Sequence, residues 1–98
     1  MLNTDEEVIE QFRKYLTQIA VKKKGNGHYT QGVARDYIFA VNCIGSNLNQ
    51  NLWKETDGTR IRSIIEKARN YEWFLERDTH GRLSSGIKRY SEFLDYIS

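Results

Sequence analysis

The chain has 98 residues, of which 39% are hydrophobic and 29% charged, with a formal net charge of +2; this fits one small globular domain. No apolar run approaches the ~18 residues that a bilayer span needs. The acidic start Asp5-Glu6-Glu7 is unlike the basic start of a secretory signal, and a single cysteine, Cys43, excludes an internal disulfide or a cysteine-based zinc site. The expected chain is cytoplasmic, with no membrane partner.

The first predicted element spans about residues 5–20. Val8, Phe12, Tyr15, Leu16 and Ile19 recur at spacings of three and four, which is one helical face. Thr4 followed by Glu7 is a capping-box pattern, and Asp5, Glu6 and Glu7 complement the positive end of the helix. Gly25-Asn26-Gly27 marks a loop. Thr30 then caps a second helix over about 30–44, with Val33, Tyr37, Ile38, Val41 and Ile44 inward, Ala34 and Phe39 flanking, and Gly45 as the stop. A polar loop leads to Leu52-Trp53, which plugs the core from a connector. Asp57 caps a third helix, taken here over about 58–75 with Trp73-Phe74-Leu75 as its extension or as residues packed just beyond it. Ser84 or Ser85 caps a last helix over about 84–97, with Ile87, Tyr90, Phe93, Leu94 and Ile97 inward. Each helix carries a single apolar stripe, so the expected fold is all-α: one domain, a four- to five-helix bundle.

Charge is unevenly spread. Residues 1–10 carry four acids and no base, residues 11–35 six bases and no acid, and the closing segment opens with Arg82, Lys88 and Arg89. Two basic blocks, 22–35 and 82–89, therefore lie at the starts of the second and fourth predicted helices. Lysine and arginine supply salt-dependent attraction to a phosphate backbone, and helix starts offer free amides. Gln31, Arg35, Lys88 and Arg89 are types that also read base edges. The candidate DNA-binding set is Lys22, Lys23, Lys24, Tyr29, Thr30, Gln31, Arg35, Arg82, Ser84, Ser85, Lys88 and Arg89.

Chemistry is not announced. His28 and His80 fall in separate loops, without metal-ligand spacing. Cys43 has no local base and reads as a small hydrophobe. Gly25-Asn26-Gly27 lacks the rest of a phosphate-binding loop, and the mixed charges Arg77, Asp78, His80 and Arg82 read as a solvated loop rather than a metal-dependent nuclease site. No catalytic residue, metal, cofactor or small-molecule substrate is expected. A rival reading is a protein–protein adaptor or inhibitor, derived from a phage or mobile element, whose exposed aromatic patch would be Trp53, Trp73, Phe74 and Tyr29.

The order Phe12-x-x-Tyr15-Leu16, a loop, Thr30, Tyr37, the third-helix aliphatics, then Leu83-Ser84-Ser85-x-Ile87-x-x-Tyr90-x-x-Phe93-Leu94 resembles the helical, SAM-like core-binding domain at the front of tyrosine recombinases (phage integrases). It is also similar to helical modules that precede some restriction nucleases. The resemblance covers nearly the whole chain through core positions, and the first loop is longer than the usual recombinase turn. The recombinase catalytic domain is missing, so Tyr90 and Tyr96 do not take the part of its nucleophile. What the resemblance implies is a DNA-clamping module whose second and fourth helices, beginning here at Thr30 and Ser84, face double-stranded DNA.

Overall fold

The computed structural model describes residues 4–22, 27–78 and 81–98. Five α-helices follow one another: α1 (Asp5–Gln18), α2 (Gln31–Leu48), α3 (Gly58–Ala68), α4 (Glu72–Arg77) and α5 (Arg82–Ile97), with a 3-10 turn at Leu52–Lys54. Among the described residues there is no strand, so the fold is the all-α bundle expected from the apolar stripes.

α1 starts where its residues require. The Thr4 hydroxyl accepts the Glu7 N–H at 3.2 Å, and Glu7 Oε1 reaches back to the Thr4 N–H, so two otherwise unpaired amides are satisfied reciprocally. Thr30 caps α2 by accepting from the Val33 amide, and Asp57 caps α3 by accepting from the Thr59 amide.

Four boundaries differ from the sequence reading. α1 is two residues shorter, ending at Gln18. α2 runs on through Gly45 to Leu48 and is closed by Asn49 in the left-handed region, φ 57°. Gly45 is thus not a stop: a Cβ there would lie 2.7 Å from the Gln50 carbonyl oxygen, so the glycine lets the returning chain cross the helix. The span 58–75 is two helices, broken by a turn in which the Asn70 and Tyr71 amides donate to the Lys67 and Ala68 carbonyls. Ala68 and Phe74 are both fully buried. In one continuous helix, six residues apart at ~100° each, they would point about 120° away from one another, and the break turns both inward. Finally, α5 begins at Arg82, so Ser84 sits in its first turn instead of capping it. The Asp78 carboxylate supplies the cap from outside, accepting the Ser84 N–H at 3.1 Å and the Ser84 hydroxyl at 2.6 Å.

The core gathers Phe12 and Leu16 of α1, Ile38, Val41 and Ile44 of α2, Leu52 and Trp53 of the 3-10 turn, Ile61 and Ile65 of α3, Phe74 of α4, and Ile87, Tyr90, Phe93 and Leu94 of α5. Leu52-Trp53 does plug it from the connector, and Trp53 Nε1 donates to Asn42 Oδ1 at 2.7 Å. Ile19 and Ile97, expected inward, are both about half exposed, because each lies at the very end of its helix where the stripe runs past the neighbouring element.

Candidate nucleic-acid interface

The opening turns of α5 lie beside α2 because the two helices pack tightly. They approach closely at Gly86, where a Cβ would lie 2.7 Å from the Ala40 Cβ and 3.1 Å from the Tyr37 Cα; only a hydrogen fits there without displacing α2. Around this crossing the front of α5 lies against the front of α2. Arg82 Nη1 stands 3.9 Å from Asp36, an exposed ion pair, and Arg89 Nη1 donates to the Tyr29 hydroxyl at 3.1 Å, just before the Thr30 cap.

Tyr29, Tyr37 and Arg89 make the inner layer of this region. The Tyr29 and Tyr37 rings meet edge to face at 5.5 Å. Burial pushes the Tyr37 phenol above its ordinary pKa, with Tyr29 adding to it, while Arg89 and a hydrogen bond with Ser85 pull the other way. The Arg89 side chain is only 11% exposed and lies 3.0 Å from Glu92. Its Nε makes an ion pair there without the direction of a hydrogen bond. Burial works against the Arg89 cation, but the bond with Tyr29 and the Glu92 carboxylate outweigh it and hold its pKa above the ordinary value.

The outer layer is solvent-facing. Thr30, Gln31, Arg35, Arg82 and Lys88 are exposed, and Lys22, Ser84 and Ser85 are partly so. Lys22 donates its backbone amide to the Gly27 carbonyl at 3.2 Å, and the Tyr29 amide donates to Leu16 O, so the chain before α2 is tied to the end of α1. His28 joins the same tie through Nδ1, 2.6 Å from Ala20 O, which makes it a loop clasp. Lys23, Lys24 and His80 lie outside the described residues.

The structure therefore brings Tyr29, Arg82, Ser85 and Arg89 to the contact between α2 and α5, leaves Gln31 and Arg35 exposed on α2, and splits the roles of the set. Arg89, expected near base edges, is held inward by Tyr29 and Glu92. Ser84 is taken up by Asp78, and Thr30 by its own cap. The aromatic patch of the adaptor reading does not form as an open surface: Trp53 is 6% and Phe74 1% exposed, Trp73 and Tyr29 are partly buried, and Trp73 stacks on Tyr71 at 5.9 Å. The exposed apolar side chain of α2 is instead Phe39, which sequence reasoning placed on the flank of the inward stripe.

Cys43 is buried, with Arg77 Nη1 4.0 Å from its sulfur. Among the described residues no group of three or more His, Cys, Asp or Glu side chains is placed to hold a metal, and no helix is long and apolar enough to cross a membrane. Comparison with protein-family models, with curated proteins and with solved structures returns no match.

Proposed function

We propose that this chain binds double-stranded DNA without catalysing a reaction, either as an accessory protein of a mobile element or restriction system or as the clamping part of a larger recombinase or nuclease. What supports the reading is that the opening turns of α5 lie beside those of α2: Arg82 pairs with Asp36, and Arg89 holds Tyr29 just before the Thr30 cap. Lys22, Arg82 and Lys88 would contact phosphates, with Lys23 and Lys24 joining them on sequence grounds alone. Gln31 and Arg35 would face base edges. Arg89 acts as a positioning residue: it holds Tyr29, and through it the Thr30 cap that opens α2.

The test is a salt titration of binding to a labelled ~25 bp mixed-sequence duplex, read by fluorescence anisotropy. Each phosphate contact adds about 0.9 to the slope of log affinity against log salt. The three to five contacts named therefore give a slope of about −3 to −4.5, and Arg82→Ala makes it shallower by about one. An affinity that does not change with salt, or no binding at low salt, sinks the proposal.

A further inference from the structure

The outward side of α2 holds a side chain that the DNA reading leaves unused. Positions 31, 35 and 39 are four residues apart, so they form one stripe over successive turns. Gln31, Arg35 and Phe39 are all exposed, Phe39 at 67%, while Ala34, Ile38, Val41 and Ile44 of the same helix face the core. A lone exposed apolar residue needs no explanation. Phe39 gains meaning from what surrounds it. Asp36 is the only acid in α2 and lies near Arg82, off this stripe. Arg35 makes no ion pair among the described residues, so the stripe carries a cation and no anion.

The dimensions suit a major groove. From position 31 to 39 the helix rises ~12 Å, or three to four base steps at ~3.4 Å, and a groove ~12 Å wide admits a helix. Phenylalanine has no donor or acceptor to offer a base edge. The apolar feature a major groove presents is the thymine C5-methyl group. We infer that Phe39 is a specificity-determining residue that packs on thymine methyl groups, one turn beyond Arg35; this rests on the DNA-binding reading above, and the complementarity of an anion-free, cationic stripe to phosphate favours duplex DNA as the occupant.

The experiment selects a preferred duplex from a randomised pool with the wild-type protein, then compares that duplex made with thymine and with uracil. Wild type should lose about three- to fivefold in affinity on uracil, the value of one buried methyl. Phe39→Ala should bind both forms equally and melt at the wild-type temperature. If wild type is indifferent to uracil but keeps a steep salt slope, or if Phe39→Ala still discriminates, the inference fails and the DNA reading stands. If no duplex is bound at any salt, both fail.

Discussion

Tyr90 shows how much one side chain can be asked to do. It is fully buried, its hydroxyl donates to the Leu52 carbonyl at 2.7 Å, and its ring meets Phe12 and Trp53 edge to face at 5.3 and 5.0 Å. Burial raises the phenol well above its ordinary pKa, and Glu55 and Asp5 add to the effect. Tyr15 and Tyr37 are shifted the same way, again chiefly by burial. A group whose folded pKa is raised holds its proton more tightly in the native state. Its stabilisation is complete below the unfolded value of ~10 and is lost as pH rises beyond it. Urea unfolding should therefore show a plateau around pH 8 and a decline above pH ~10. Tyr90→Phe should lower stability at pH 8 by about 1 kcal/mol, since the Leu52 carbonyl keeps its bond from the Glu55 amide. The same variant should flatten the alkaline decline. An unchanged decline would move the effect to Tyr15 or Tyr37.

At the scale of elements, the α2–α5 crossing decides whether the proposed interface exists. Gly86→Ala would gain ~1 kcal/mol of helix propensity. The new Cβ, however, meets Ala40 and the Tyr37 backbone inside van der Waals contact, and overpacking of this kind costs about 1–3 kcal/mol. The clash outweighs the propensity, so denaturant unfolding should register a net loss, and duplex affinity should fall with it because the two helix starts are pushed apart. Gly32→Ala, whose Cβ would meet only Thr30 Oγ1 at 3.9 Å, is expected to be neutral or stabilising. Gly45 and Gly86 also mark where sequence reading reaches its limit. The caps at Thr4, Thr30 and Asp57 were legible, because a cap is a local event between a side chain and an amide two or three residues on. Whether a glycine ends a helix or admits a neighbour depends on chain that is distant or not yet placed, and nothing near Gly86 in sequence announces Ala40. The basic blocks were legible as blocks. The inward turn of Arg89 was not, since its partner Tyr29 lies sixty residues away. Phe39 was misplaced for a related reason: β-branched and aromatic neighbours widen the apolar stripe on paper, and only packing shows which edge of it is covered.

On the proposed DNA-binding function, the size of the whole molecule bounds the length of duplex that one copy would engage. The principal extents are 36 × 33 × 20 Å, with a Cα radius of gyration of 12.8 Å. At ~3.4 Å per base pair, the longest dimension covers about ten to eleven pairs, one helical turn. In the proposed binding mode, a body of this size would reach phosphates about a single major groove and would be too short to follow the duplex further. Affinity at fixed salt should therefore climb steeply as duplex length rises from 6 to ~12 bp, then increase only in proportion to the number of overlapping sites. Anisotropy over a duplex series from 6 to 30 bp checks this, and repeating it with Arg35→Ala separates the contacts that need the groove from those that need only charge. A second steep rise near twice that length would mean two copies bind side by side. The molecule would then read two neighbouring groove segments, with its stripe of Gln31, Arg35 and Phe39 presented once in each.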